Sequence, residues 1–565
     1  AAYDRDEQCW PCQWGTVEGI CGVQPGKGIE FLPSFIANQS SGLVTPDDPH
    51  SRFEKGDILG EFSIGGKYAM SSDMTLEATY NPDFSQIEAD AAQVDVNSTI
   101  ALQYPERRPF FQEGSDVFRT MFNSFYTRTI NDPQYAVKLI SRKPGFTFGF
   151  MSAQDENTPY MIPLEERSIL FNAGRSYVNI FRGCRSIGKA SQLGFIVTDR
   201  RLDGGGYGSI LSTDGNIRIT PTLSINGQFI ASFTGEPDKA GNSSDLADVV
   251  FDQGKRTAVF DGESFHGNAF ITTLTRSARN WNFTANYNQV DPSYRTEIGY
   301  DPWVDYRDAS IWSGYMFYPK HGPFLRIQPE ISVENRWQFD GTRKWEHQNF
   351  ELYGQLRWAQ TEFEIAIGRG SESWTRHSDG HLAEYDDLFG CEIDITGQII
   401  DELGYSFTIS NSREVALLAE AIGNQTDCDA SLTLKPIDRL TIEPEMNYVR
   451  NTHVDTKQEL FRQLIVRTRL QLQLNRKASV RLVLQYDDSK LIIPWMVDES
   501  DQPLKMNEKT WGIDPLITYR LGSFSVLYLG STYDYTHYPE DEFSMAQWKL
   551  SSRQYFMKLQ YLIQM

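Results

Sequence analysis

Eight histidines and six cysteines are the side chains of this 565-residue chain best suited to metal or nucleophilic chemistry. Two of the histidines stand together in His377-Ser378-Asp379-Gly380-His381, with Asp379 as a third ligand type between them. A metal site needs convergent ligands held on rigid elements, and this polar, glycine-containing stretch reads instead as an outer loop with incidental histidines. Cys9-Trp10-Pro11-Cys12 has redox-motif spacing, with Cys21 close by. A thioredoxin-like role requires a βαβ setting that the surrounding pattern lacks, so a local disulfide or a link to a preceding domain is the plainer reading. Cys184, Cys391 and Cys428 fall on separate predicted strands, with a whole strand between the last two, too far apart for a bridge. Asp203-Gly204-Gly205-Gly206 is no phosphate cradle of the Walker type and reads as a tight turn. No catalytic residue, cofactor-binding residue or metal ligand is assigned, and no enzymatic activity is expected.

The elements that would position any site must therefore carry the reading. The chain has 53 Lys and Arg against 75 Asp and Glu, a net charge of −22. That balance disfavours nucleic-acid binding, which draws its affinity from clustered basic residues. An aromatic content of 13% is too high for a disordered acidic chain. No run of about 18 apolar residues is present, so a spanning helix is excluded; the densest apolar stretch is Leu491 to Val497.

What replaces helices is alternation. From Phe324, the residues Leu325, Ile327, Ile331 and Val333 fall on one parity, and Arg326, Gln328, Glu330 and Glu334 on the other. The same split sets Leu440 and Ile442 against Glu443 and Glu445, and Leu470 and Leu472 against Arg467 and Arg469. Alternation with period two marks a strand with one apolar and one polar face. These runs reach the roughly 9 to 11 residues of a tilted membrane-crossing strand, beyond the roughly 5 or 6 common in soluble sheets. Arg326, Glu330, Glu443, Glu445, Arg467 and Arg469 are assigned to a wet lumen wall, and the apolar parity to lipid.

Turn spacing supports a closed barrel. Short links such as Lys143 to Gly145, Lys435 to Asp438 and Asn475 to Ala478 alternate with longer polar ones, including Gln154 to Gly174, Glu414 to Thr426 and Ser489 to Asn507. Strict alternation of short periplasmic turns and longer outer loops is the habit of outer-membrane barrels. The expected fold is all-β: a transmembrane antiparallel outer-membrane β-barrel of about 24 strands over residues 28–565, preceded by a periplasmic lead-in, 1–27. The last strand, running to Met565, departs from the usual aromatic ending.

One link breaks the pattern. Phe84 to Asp132 is too long for a structureless loop, and its two prolines in Pro105-Glu106-Arg107-Arg108-Pro109-Phe110-Phe111-Gln112-Glu113-Gly114 resist ladder pairing. A lumen this wide cannot be filled by wall side chains alone, so residues 84–132 are expected to fold inward as a plug or constriction. Arg107 and Arg108 would pair with carboxylates, with Glu88, Glu113 and the wall residues Glu330, Glu443 and Glu445 as donors of charge. Phe110 and Phe111 would form an apolar knot.

Asn81-Pro82-Asp83-Phe84-Ser85-Gln86-Ile87-Glu88-Ala89-Asp90, together with the run from Pro105 on through Ser115-Asp116-Val117-Phe118, resembles a bacterial outer-membrane β-barrel family of unknown function. Trp14-Gly15 and Gly28-Ile29-Glu30-Phe31-Leu32-Pro33 are similar to the start of its barrel region. Members typically carry an N-terminal domain similar to family 9 carbohydrate-binding modules, which would precede Ala1. The resemblance implies the barrel but no reaction or substrate, and carbohydrate binding is carried over to no residue.

Two functions follow. The first is a gated or constricted channel for small solutes, its acidity favouring cations or neutral solutes over anions. The alternative is a plugged barrel anchoring a periplasmic or surface domain or partner proteins. A TonB-dependent receptor fits less well, since such receptors place a plug of over a hundred residues before the first strand. The expected surroundings are outer-membrane lipid and lipopolysaccharide, with periplasmic or surface proteins as further partners; the sequence assigns no cofactor and no oligomeric state.

Overall fold

The computed structural model describes residues 28–46, 48–82, 93–188, 190–238, 243, 246, 248–497, 502–522, 524–539 and 546–565. The lead-in 1–27, Glu88 and the three N-terminal cysteines lie outside them. Within them, one sheet holds twenty-six strands. The first strand, Ile29–Leu43, pairs antiparallel with Gln547–Gln560, placing Phe35 opposite Leu559 and Gln39 opposite Tyr555. That pairing removes both free edges, as a strand structure in hydrocarbon must. Two short pieces, Phe53–Lys55 and Ile563–Gln564, only extend the first strand's ladder, leaving a closed barrel of 24 strands. Among the described residues, helical stretches of three residues or more are limited to Pro109–Gln112 and the 3-10 turns Ser115–Phe118 and Thr127–Thr129.

The alternation read in the sequence becomes the two faces of this wall. Ile331 lies opposite Phe350, which lies opposite Ile367, and these side chains point outward with exposures of 57%, 54% and 47%. Leu325, Ile327 and Val333 share that face, as do Ile442, Leu470 and Leu482, aligned across three strands. In water such a continuous apolar exterior would aggregate; in a bilayer it is the contact surface. This is an outer-membrane β-barrel. The opposite parity carries Gln328 and Arg336, which are buried.

Several outer links are shorter than the sequence predicted. Leu403–Ala416 and Ala421–Ile437 stay paired out to Ala416 opposite Ala421, inside the expected link Glu414 to Thr426. Ala478–Val497 and Pro503–Arg520 stay paired out to Val497 opposite Pro503, inside the expected link Ser489 to Asn507. The reason is physical: loss of apolar alternation marks where a strand leaves hydrocarbon, but backbone pairing continues into water beyond it. Strands as long as the 20 residues of Ala478–Val497 therefore project above the roughly 9 to 11 residues that cross the bilayer.

The barrel's packed core is inside its N-terminal half. Phe111, Val117, Phe118 and Ile130 meet Ala136, Ile140, Met151, Ala153, Val178, Ile180 and Ile196 of the wall. The wall residues alternate with Tyr135, Tyr177, Phe181 and Phe195, which are exposed on the outside. The described part of the link between the strands Met74–Tyr80 and Pro133–Lys143, residues 93–132, therefore packs inside the lumen.

Candidate functional site

The inward segment is held at three heights. Near the short-turn end, Arg142 donates from Nη2 to Asp116 Oδ1 at 2.7 Å, one residue before Lys143, and Lys67 pairs with Glu113. At mid-height, Lys138 donates from Nζ to the carbonyls of Phe110 at 2.5 Å and Glu113 at 2.7 Å, and ion-pairs with Glu77 at 2.8 Å. Across the outer mouth, Asn97 donates to the Val415 carbonyl at 3.1 Å and accepts from Leu417 N–H at 2.9 Å. Asp95 N–H donates to Gln463 Oε1 at 3.1 Å. Residues 95–97 thus reach the wall on the far side of the lumen.

Arg108 is largely enclosed, and its partner differs from those expected. Its Nε donates to Glu106 Oε1 at 2.9 Å and its Nη2 to Glu106 Oε2 at 2.7 Å. Nη1 and Nη2 also reach the carbonyls of Ile130 at 2.6 Å and Thr127 at 2.8 Å, and the guanidinium lies 4.3 Å from the centre of the Phe111 ring. Burial pushes the Glu106 carboxyl up, but Arg108 outweighs it and holds the group below the usual carboxylate range. The sequence reading placed the counter-charge on Glu88, Glu113 or the wall. A carboxylate two residues away needs no long-range register, which is why the segment closes the pair on itself. Arg107 is half-buried, its N–H donating to Glu106 at 2.9 Å. Phe110 and Phe111 meet edge to face at 5.2 Å.

The proposed wall residues share one face but split into local pairs. Arg326 donates to Tyr353 at 2.5 Å and to Glu362 at 3.0 Å. Arg469 lies 3.5 Å from Glu443, and Glu445 is directly opposite Arg467. Glu330 accepts from Trp312 Nε1 at 2.7 Å. Glu330 also begins a band of like charge: it faces Glu351 across one strand pair, and Glu364 faces Asp394 across another. Glu392 and Asp427 continue the band, both opposite Ser410 on the strand between them. Thr408 and Ser410 donate to Asp394 at 2.6 Å and Asp427 at 2.9 Å. No Lys or Arg among the described residues ion-pairs with these six carboxylates, and all six are at least partly exposed within the lumen.

Above the segment, outer loops fold inward around a buried ionic knot. Tyr160 donates to Glu297 at 2.6 Å; Arg295 donates to Glu236 at 2.6 Å; Arg200 donates to the Thr129 carbonyl at 2.7 Å. Burial raises the Glu297 carboxyl, against Arg295 and Arg200, and raises that of Glu236 to about 7. Gly208 is required here, because a Cβ would stand 1.6 Å from Glu297 Cγ. Between these loops and the segment lies a cavity of about 290 Å³, bordered by Tyr104, Tyr126, Arg128, Glu297 and Tyr300. The seam between plugging segment and loops is thus incompletely packed.

Residues 54–142 match the family model described as domain of unknown function DUF5916. No curated protein matches the chain. Among solved structures, it is similar to the FrpB iron transporter of Neisseria meningitidis, with 8% identity, 77% of this chain and 80% of that one covered, and a TM-score of 0.46. It is also similar to the siderophore receptor PirA of Acinetobacter baumannii, with 9% identity, 94% and 80% covered, and a TM-score of 0.45. A point mutant of the ferric enterobactin receptor PfeA of Pseudomonas aeruginosa gives 10% identity, 96% and 82% covered, and a TM-score of 0.45. The barrel itself rests on the closed ladder described above.

The sequence reading missed Lys138 and the outer-loop knot. A lone lysine on the inward parity of Tyr135-Ala136-Val137-Lys138-Leu139-Ile140 is the one available signal, since such a charge must meet acceptors inside the wall.

Proposed function

We propose that the protein is a channel for small cationic or neutral solutes, constricted by its own inward segment and without enzymatic activity. The observation that carries this reading is the unneutralised carboxylate band from Glu330 to Asp427. Like charges directly opposite one another destabilise a sheet, so a purely structural barrel gains nothing from keeping them. In a water-filled passage they concentrate cations and repel anions. Among its described residues, the segment packs on the opposite, N-terminal wall and reaches across the mouth at residues 95–97, which suits a gate better than a seal.

The test is conductance of the purified protein in planar bilayers, with and without Pro105 to Gly114. Higher single-channel conductance in the deletion, with heat-modifiable gel migration retained, supports the channel. Absence of conductance in both forms overturns it in favour of an anchor that holds a partner, or the sugar-binding-like domain implied by the resemblance, at the outer membrane.

A further inference from the structure

Three carboxylates from the loop joining the strands Leu223–Gly235 and Ser264–Arg276 converge although 25 residues separate the first from the second. Glu236, Asp261 and Glu263 each bring a carboxylate oxygen within 4.8 Å of the others. The backbone sets this up: Glu236 N–H donates to the Glu263 carbonyl at 2.8 Å, Asp238 and Asp261 form a one-residue bridge, and Gly262 takes a φ of 86° between the two downstream acids.

Convergence of acids alone is common on protein surfaces. Here the Glu236 side chain has no exposed area at all. Its Oε1 accepts from Arg295, but its Oε2 is enclosed without any hydrogen-bond donor, and Glu263 Oε2 is likewise enclosed and without one. Arg256 comes no nearer to Glu263 Oε2 than 3.7 Å. A buried carboxylate oxygen without a donor carries its full desolvation cost, and a cation relieves it. Asp261 is exposed, so water completes the remaining coordination from one side.

We propose that Glu236, Asp261 and Glu263 bind one hard divalent cation of the calcium type, locking the outer loop that packs through Phe251 and Phe260 on the loop carrying Tyr160. An all-oxygen carboxylate set suits Ca²⁺, which accepts irregular geometry and several waters, better than Zn²⁺, which takes nitrogen and sulfur ligands. The bound ion offsets the negative charge that Arg295 and Arg256 leave uncompensated. Through Arg295 and its neighbour Glu297, loop order passes to Tyr160 and the seam over the segment. The site itself does not depend on the channel reading.

The test is calorimetric titration of CaCl₂ into chelator-treated protein refolded in detergent, so that lipopolysaccharide contributes no cation sites. The expected result is one Ca²⁺ per chain with a Kd on the order of 10⁻⁴ to 10⁻³ M, the range of extracellular sites. Asp261→Asn and Glu263→Gln should each weaken binding at least about tenfold, while Asp340→Asn on another outer loop binds as the parent does. Asp261 is exposed, so its variant keeps the test sound if Glu236→Gln fails to fold. Hydrogen exchange across residues 248–263 should slow on adding Ca²⁺ to the parent and not to Asp261→Asn. No saturable binding by the parent, or equal binding by Asp261→Asn and Glu263→Gln, overturns the site.

Discussion

Arg108 and Glu106 form a two-pronged ion pair inside the lumen, Nε to Oε1 at 2.9 Å and Nη2 to Oε2 at 2.7 Å. The segment thereby brings its own counter-charge. Were Arg108 paired to the wall, any displacement of the segment would strand a charge on each side; as built, it moves without separating this pair.

Glu106→Gln should loosen the segment without opening the barrel. Breaking a buried pair by removing one partner costs about 3–5 kcal/mol, here reduced by the carbonyls of Thr127 and Ile130 that still receive Arg108. Limited proteolysis between residues 100 and 130 should accelerate, with unchanged heat-modifiable migration. Equal protease resistance in the variant would show that the pair does not hold the segment.

Neutralising the carboxylate band should act on selectivity and not on assembly. The triple variant Glu351→Gln, Glu364→Gln, Glu392→Gln should move the reversal potential toward zero under a KCl gradient. Removing the directly opposed Glu330–Glu351 and Glu364–Asp394 repulsions should also leave the barrel at least as stable, since each such pair is worth roughly 0.2–1 kcal/mol. An unchanged reversal potential would mean that permeant ions do not pass this wall.

Ile331→Arg places a charge on the exterior near the middle of the strand Phe324–Trp337. Near the bilayer midplane it should destabilise the barrel by about 2–4 kcal/mol, measured by reversible unfolding in lipid. The same substitution at Ser332, on the lumen face, should cost much less. Equal costs would contradict the assigned faces.

Acid should tighten the outer loops. Asp305 and Glu165 both have raised carboxyls, chiefly through burial; Glu165 adds to the rise of Asp305, to about 7, while Glu166 adds to that of Glu165 and the hydrogen bond with Asp305 works against it. Glu166 and Asp340 add negative charge nearby, while Lys344, the Phe339 N–H and Gln338 oppose it. The folded state then holds a proton that the unfolded chain releases near pH 4, so the stabilisation is present at low pH and is lost as pH rises through about 7. Hydrogen exchange in residues 159–172, corrected for intrinsic rates, should quicken from pH 6 to 8, and Glu165→Gln should weaken that dependence, leaving the part that burial of Asp305 supplies. A parent with no pH dependence would refute the shared proton.

The wall was legible in the sequence because period two is imposed by the pleat itself: Leu325 and Arg326 cannot share a face in any extended strand. What alternation does not encode is where pairing stops in water, hence the overlong links at Glu414 and Ser489. Nor does it encode partners made by a chain folding back on itself, so Glu106 was overlooked as the partner of Arg108 despite standing two residues away. Glu236 and Glu263 gave no signal, since their meeting depends on a loop path that only the folded chain defines.

The pairing of Ile29–Leu43 with Gln547–Gln560 also bears on the order in which the barrel is expected to assemble. The seam that shuts the cylinder is made from the two extremes of the described barrel, whereas the segment it encloses connects Met74–Tyr80 to Pro133–Lys143 and rests on walls formed well before the chain's midpoint. Residues 95–97 bridge the mouth to Val415 and Gln463, so threading them into a finished cylinder would mean passing through an opening they themselves obstruct. The expected order is docking on an open, curled sheet, with the C-terminal strand fastening afterwards. Assembly intermediates halted before Gln547 should accordingly protect Phe111 and Ile130 from labelling while the first strand remains reactive.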